Sequence, residues 1–145
     1  MNKEQLIANV SLFKELDKKY IASIAQLCTE RVYKPGDILI KQGEEGIGIF
    51  IITKGKVKVT KTTPDNRVVE IAENTAGDIL GEFAVLDGAP RTATVTAIEE
   101  TECLVLASWE FNSFMKTHPE VALGILPVVV RKFRETNDAL TGLRA

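Results

Sequence analysis

Gly81–Val95 reads G-E-F-A-V-L-D-G-A-P-R-T-A-T-V and places one carboxylate, Glu82, nine positions before one guanidinium, Arg91. Gly81 and Gly88 bracket its first half, and a β-branched run follows the arginine. A short loop that carries both charges and then enters a strand suits a small ligand with hydroxyls and a phosphate. We call this stretch the cassette.

The chain on both sides of the cassette is divided into short β-type runs by glycines and polar turns. These runs are Ile38–Ile40, Ile47–Thr53, Lys56–Lys61, Arg67–Ile71, Thr92–Ile98 and Thr101–Ala107. Lys54-Gly55 is typical of a two-residue hairpin turn between the second and third runs. Many short strands at this spacing predict a sandwich or barrel, not a parallel α/β sheet.

Helical patterns precede and follow the β region. In the first thirty residues apolar side chains recur at helical spacing, Asp17 is a candidate N-cap, and a turn signal at Lys34–Asp37 closes this lead-in. Ser108 is a candidate cap of a later helix, and His118–Glu120 starts another with proline in its first turn. Pro127 should kink or divide that helix because it removes a backbone donor.

Size and charge restrict the classes of function. The 145 residues are 45% hydrophobic and 26% charged, values ordinary for one globular domain, with a net charge of −2. Without a broad basic field, nucleic acid and membrane surfaces are not expected partners. No apolar run approaches ~20 residues and no signal peptide is evident, so a soluble cytoplasmic protein is expected. Cys28 and Cys103 are expected to be free thiols in apolar runs.

Motifs for catalysis or metal binding are missing from the sequence. His118 is the single histidine, whereas a β-barrel metalloenzyme needs several histidines near acids. No G-x-S-x-G, CxxC pair or phosphate-loop lysine motif is present. We therefore predict no catalytic residue, no metal ligand and no enzymatic activity.

The cassette resembles the phosphate-binding cassette of cyclic nucleotide-binding domains, G-E-φ-A-φ-φ-x-x-x-P-R-[AT]-A-[TS]-V, and fills every fixed position. Tyr33–Gly43 is similar to the first strands of that family, and Gly46–Val59 to its glycine-punctuated hairpin. Gly77-Asp78 and the helices after Ser108 also fit, so the resemblance covers nearly the whole chain.

This resemblance implies a mainly β fold with flanking helices, namely an eight-stranded jelly-roll-like β-barrel with N-terminal helices and C-terminal lid-type helices. The expected organisation is a single domain over 1–145. Its parts are a helical lead-in at 1–30, a barrel at 31–107 that contains the cassette at 81–95, and C-terminal helices at 108–145.

The resemblance also implies a non-catalytic receptor for cyclic AMP or cyclic GMP that needs no cofactor. Arg91 would bind the phosphate through two charge-assisted hydrogen bonds. Glu82 would accept the ribose 2′-hydroxyl proton, since phosphate would repel it; alternatively it is a helix N-terminal acid, and both can hold. Gly81 would let backbone and ligand approach, and free N–H groups near Phe83 and Ala84 would face the anion.

Thr92 carries the information about the base. Its N–H is expected near the phosphate, and its hydroxyl can bond the 2-amino group of a syn guanine; alternatively it is an ordinary β-branched strand residue. Family members that accept cyclic GMP often carry threonine here, so cyclic GMP is permitted but not required. Phe83 replaces the family's usual leucine or isoleucine, so the sequence does not determine the shape of the pocket. The predicted ligand-binding residues are Gly81, Glu82, Phe83, Ala84, Arg91, Thr92 and Ala93.

In this family the final helix closes over the base, a role that would fall on the segment after Pro127. Its apolar stripe, Leu126–Leu143, has three interpretations: simple packing on the barrel, a lid, or a homodimeric coiled coil with a second copy. Arg131 and Arg134 are within possible reach of a ligand, although solvated positions are the simpler expectation.

No helix-turn-helix, kinase or channel segment follows the barrel in this sequence. The expectation is therefore a stand-alone sensor or a piece of a larger protein, read by a downstream protein partner that the sequence does not identify. The alternative is a degenerate domain that only mediates protein contact. Glu82 and Arg91, both intact, argue against it.

Overall fold

Eight strands and five α-helices follow one another along residues 2–142, the part of the chain that the computed structural model describes. The helices are α1 Lys3–Ala8, α2 Lys18–Leu27, α3 Glu82–Asp87, α4 Ser108–Thr117 and α5 Pro119–Thr141, with a 3-10 turn at Ser11–Phe13. The strands are β1 Thr29–Tyr33, β2 Ile38–Ile40, β3 Gly48–Lys54, β4 Lys56–Thr62, β5 Val68–Thr75, β6 Ile79–Leu80, β7 Thr94–Ala97 and β8 Thr101–Ala107.

The strands form two four-stranded sheets in which every pair is antiparallel. One sheet has the order β1-β8-β3-β6 and the other β2-β7-β4-β5. This confirms the predicted mainly β fold with eight strands and flanking helices. The cassette connects β6 of the first sheet to β7 of the second, so it spans one end of the space between the sheets.

β3 is buried on both faces from Gly48 to Ile52, which explains the apolar sequence of that part of the strand. Side chains alternate along a strand, and Phe50 and Ile52 belong to the core between the two sheets. Ile49 and Ile51 belong to a second core, formed against the helices. That second core includes Phe13 and Phe111, whose rings meet edge to face with centroids 5.7 Å apart.

The prediction of a hairpin at Lys54-Gly55 is wrong. β3 pairs with β6 and β8, whereas β4 pairs with β5 and β7, so the chain changes sheets at Gly55. Gly55 has φ +105°, and a Cβ there would lie 2.5 Å from the carbonyl oxygen of Glu100. The corner therefore requires glycine for conformation and for space. The sequence signal was the change from the apolar run Gly48–Ile52 of β3 to an alternating β4, since paired strands of one half-exposed sheet would both alternate.

Several helix boundaries differ from the sequence predictions. α2 ends at Leu27 and β1 begins at Thr29, two residues before the expected start of the barrel; the Lys34–Asp37 turn joins β1 to β2 instead of closing the lead-in. Asp17 occupies the N-cap of α2 without a side-chain capping bond. Ser108 is the first residue of α4, not its cap, and its hydroxyl donates to the carbonyl of Gly46.

α5 continues through Pro127, which does not divide it. The start of the helix is attached to α2 by a hydrogen bond from the Tyr20 hydroxyl to Glu120 Oε1, 2.5 Å long. This bond raises the pKa of Tyr20 to about 12 and lowers that of Glu120. Farther along, Arg131 pairs with Glu15. Leu143, the last residue of the predicted stripe, lies outside the described residues.

Both cysteines are free and buried, as predicted. Burial raises the pKa of the Cys28 and Cys103 thiols to about 11 each. Because the thiolate is the reactive form, neither is an activated nucleophile at neutral pH.

Candidate ligand-binding site

The cassette encloses one end of a cavity of about 490 Å³ at the mouth of the barrel. Every predicted ligand-binding residue lines it: Gly81, Glu82, Phe83, Ala84, Arg91, Thr92 and Ala93. Apolar side chains of the β-strands line it as well: Ile40, Val59, Ile71, Ile79, Leu80 and Val95. Asp87, Ala89 and Pro90 of the cassette are the remaining lining residues within 2–142. The structure thus brings all seven residues together; their contacts with a ligand remain a prediction.

The first half of the cassette folds as the short helix α3, as the sequence indicated. Gly81 precedes it with φ +82° and Gly88 ends it with φ +72°, both left-handed conformations that favour glycine. A Cβ at Gly81 would lie 2.2 Å from Arg91 Nη1. Gly81 therefore serves both the turn and the close approach of the arginine.

Arg91 is only 5% exposed, and carbonyl oxygens hold its guanidinium. Nη1 donates to Gly81 at 2.5 Å and Nη2 donates to Gly48 at 2.6 Å. Its backbone N–H donates to Glu44, and its carbonyl accepts from Gly43, which fixes the arginine to the β2–β3 loop. The site therefore orients the side chain from two directions.

The Nε atom of Arg91 is buried and has no hydrogen-bond partner among residues 2–142. Burial lowers the pKa of Arg91, and the negative charge of Glu82 opposes that effect. Arginine nevertheless remains protonated in proteins. An unpartnered donor on a buried cation is costly unless an acceptor reaches it, so the site fits an anion.

Gly46 and Gly48 complete the space around Arg91, and the sequence assigned them only to a hairpin. A Cβ at Gly46 would lie 1.9 Å from Arg91 Nε. A Cβ at Gly48 would lie 2.2 Å from the carbonyl oxygen of Leu106 in the neighbouring strand. The G-x-G spacing was the available signal, but only the folded chain shows that Gly46 makes room for the guanidinium and that Gly48 lets β3 approach β8.

Glu82 is the second buried charge of the cavity wall, with 7% exposure. Lys132 of α5 approaches it, with Nζ 3.4 Å from Oε1. The same Nζ lies 5.1 Å from the ring centroid of Phe83. The sequence singled out Arg131 and Arg134 in this helix and missed Lys132, which follows Ile125 by seven residues and so shares its buried face.

Thr92 is exposed at the cavity wall, and Ala93 is half-buried beside it. Phe83 is 54% exposed and lines the cavity at a position where the family usually has an aliphatic side chain. Within residues 2–142, no group of three or more His, Cys, Asp and Glu is placed to hold a metal ion. None of the described helices is long and apolar enough to cross a membrane.

A buried guanidinium with an unpartnered donor and a buried carboxylate, in a barrel mouth lined mainly by apolar residues with Asp87 and Thr92 among them, define a pocket for a small anion with hydroxyl groups. A family model of the cyclic nucleotide-binding domain matches residues 30–118. The chain belongs to the cyclic nucleotide-binding domain family, which confirms the resemblance seen in the cassette.

Three relatives illustrate the family. A CRP-like cAMP-activated global transcriptional regulator of Mycobacterium tuberculosis is 27% identical over 97% of this chain, which spans 62% of that protein. The N-terminal domain of a transcriptional regulator from Streptomyces coelicolor A3(2) is 34% identical, with a TM-score of 0.80 over 92% of this chain and 96% of that one. The regulatory domain of Toxoplasma gondii PKA, solved with cAMP, is 28% identical, with a TM-score of 0.73 over 77% of this chain and 42% of that one.

Proposed function

We propose that this chain is a non-catalytic receptor for a 3′,5′-cyclic nucleotide, which binds in the cassette cavity. The observation that carries the proposal is the pair Arg91 and Glu82, both buried and both on the wall of one cavity. A volume of about 490 Å³ is in the range of small-molecule sites. The family match supports the same ligand class.

In this proposal, Arg91 binds the cyclic phosphate through Nε and the guanidinium protons that the Gly48 and Gly81 carbonyls leave free. Glu82 accepts a hydrogen bond from the ribose 2′-hydroxyl. The apolar strand residues contact the sugar and base. No bond is made or broken, so the output of binding is a shift in the population of conformations.

Titration calorimetry of the full chain with cyclic AMP, cyclic GMP and 5′-AMP tests the proposal. We expect saturable heat with at least one cyclic nucleotide and much weaker binding of 5′-AMP, whose phosphate carries an additional charge and is not tied to the 3′ position. No heat from either cyclic nucleotide at millimolar concentration would reject the receptor and favour the alternative of a degenerate interaction domain.

Thr92→Ala tests how the base is recognised. If the Thr92 hydroxyl bonds the 2-amino group of guanine, the variant should lose about 0.5–1.5 kcal/mol of cyclic GMP affinity, the net worth of one hydrogen bond. Cyclic AMP lacks that amino group, so its affinity should change little. Calorimetry with both nucleotides measures the difference, and Thr92→Ser, which keeps the hydroxyl, is the matched control. Equal losses for both nucleotides would show that Thr92 does not read guanine.

We further propose that α5 carries the signal to a downstream protein partner. α5 contacts the cassette through Lys132 and the lead-in through Arg131, so its position is linked to both. We also propose that residues 1–145 form a single domain and that the protein is located in the cytoplasm.

The outer face of α5 supports homodimerisation. Its exposed large apolar residues are Leu123, Leu126, Val130, Phe133 and Leu140. Together with Asn137 they alternate at spacings of three and four, the seam of a coiled coil. Val130 and Asn137 fall on equivalent positions of the seam. At such positions β-branched residues and a single asparagine favour a parallel coiled coil of two helices in register. We therefore propose that a second copy of this chain covers this face.

Phe133→Lys should prevent this dimer. Lysine at a central seam position brings two like charges together and removes a ring that is 71% exposed in the single chain. Sedimentation velocity should show a dimer for the wild type and a monomer for the variant at the same micromolar concentration. Ala139→Lys adds the same charge at an exposed position off the seam and should remain dimeric. A wild type that sediments as a monomer would contradict the proposal.

A further inference from the structure

Glu82 lies on a wall between two spaces. One side of the wall is the cassette cavity, and the other is a crevice of about 10 Å³ between the cassette and α5. Lys132 and Val129 line the crevice, and neither belongs to the described residues that line the cavity. Lys132 therefore reaches the carboxylate from behind the surface that faces the cavity.

Two contacts determine where Lys132 lies. Its Nζ is 3.4 Å from Glu82 Oε1 and 5.1 Å from the centroid of the Phe83 ring. The side chain of Glu82 is 10% exposed, whereas that of Lys132 is 50% exposed. A carboxylate with so little access to water needs a partner, and Lys132 is a cation that the rest of the fold brings to it.

α5 is positioned independently of Glu82. Val121 and Ile125 are buried in the helix-side core, Glu120 is bonded to Tyr20, and Arg131 pairs with Glu15. These contacts fix the rotation of the helix and hence the face that carries Lys132. The distance between the Lys132 ammonium group and Oε1 of Glu82 therefore depends on the position of α5.

We propose that Lys132 is a positioning residue for the ribose contact. It holds Glu82 at the cavity wall so that the carboxylate accepts a hydrogen bond from the 2′-hydroxyl group of the ligand. A carboxylate has two oxygens and several acceptor sites, so Lys132 on Oε1 leaves Oε2 for the hydroxyl. This inference rests on the proposed function, because it gives Glu82 its ligand group. It adds a direct connection from that group to α5, and such coupling is reciprocal.

Lys132→Met keeps an unbranched apolar side chain at this position and removes the charge. We expect cyclic AMP or cyclic GMP, whichever the wild type binds more tightly, to bind about two- to fivefold more weakly, the effect of losing a half-exposed ion pair. The 2′-deoxy analogue of the same nucleotide should bind wild type and variant equally, because it has no hydroxyl for Glu82. Lys132→Arg should restore most of the difference. Arg134→Met removes an exposed cation from the same helix and should leave both affinities unchanged.

The outcomes separate this inference from the proposed function. If wild type binds neither cyclic nucleotide, the receptor proposal fails and this inference fails with it. If wild type binds but Lys132→Met weakens the nucleotide and its 2′-deoxy analogue equally, Lys132 has only a structural role. If Lys132→Met leaves the affinity unchanged or increases it, Lys132 does not position Glu82. In these last two cases the receptor stands and only the positioning role is rejected.

Discussion

Arg91→Ala is expected to weaken cyclic nucleotide binding by about 2–5 kcal/mol, as when one partner of a buried charge contact is removed. The phosphate would enter a buried site that no longer contains its cation, since Arg91 is 5% exposed. Titration calorimetry, or displacement of a fluorescent cyclic nucleotide where heats are too small, measures the loss. Dissociation should become faster, because related interface variants differ mostly in off-rate.

Arg91→Lys and Arg134→Ala control this experiment. The lysine keeps a positive charge but not the planar fork of donors, so its affinity should lie between those of wild type and Arg91→Ala. Arg134→Ala deletes the same side chain at an exposed position and should bind normally. A thermal melt of each variant checks that the fold is retained. If a folded Arg91→Ala binds within threefold of wild type, Arg91 is not the phosphate contact.

Gly55→Ala should cause a large loss of stability. A non-glycine residue at φ +105° costs about 1–2 kcal/mol. The new Cβ would also lie 2.5 Å from the carbonyl oxygen of Glu100 and 2.7 Å from the Cα of Thr101, both backbone atoms. Relief of such overlap costs about 1–3 kcal/mol more. We therefore expect the free energy of unfolding, measured by urea titration, to fall by about 2–5 kcal/mol.

Gly36→Ala is the control that measures the conformational part of this effect alone, so the difference between the two variants gives the steric part. Gly36 has a similar φ, +92°, but nothing lies within 4 Å of a Cβ built there. Its variant should lose only the conformational part, about 1–2 kcal/mol. Equal destabilisation of the two variants, with equal denaturant slopes, would show that the corner between the sheets has room for a side chain.

Local signals in the sequence predicted the cassette well. Gly81 and Gly88 require left-handed backbone, Pro90 lies immediately before Arg91, and the β-branched run after it becomes β7. These features depend on neighbouring residues alone. For the same reason the helical character of α3 was predictable from its glycine-bracketed sequence.

Features that depend on distant parts of the chain were not predictable in this way. Gly55 by itself suits a hairpin or a change of sheet equally well. The change of pattern from β3 to β4 favours a change of sheet, and the different partners of the two strands establish it. The role of Lys132 depends on how α5 is rotated against the cassette, 50 residues away in sequence from Glu82. Pro127 removes one donor, but Val121 and Ile125 before it are buried in the helix-side core and Val129 after it packs against the same core, and the helix is continuous.

The two carbonyl groups that hold Arg91 have an entropic consequence. Fixing a long charged side chain costs about 1.5–2 kcal/mol of rotamer freedom, and in this protein the fold itself has already immobilised the guanidinium through Gly48 and Gly81. An arriving anion meets a donor that is in place, so its contact is not diminished by the ordering of a flexible arm. Preorganisation of this kind moves the entropic cost of recognition from the binding step to the folding step.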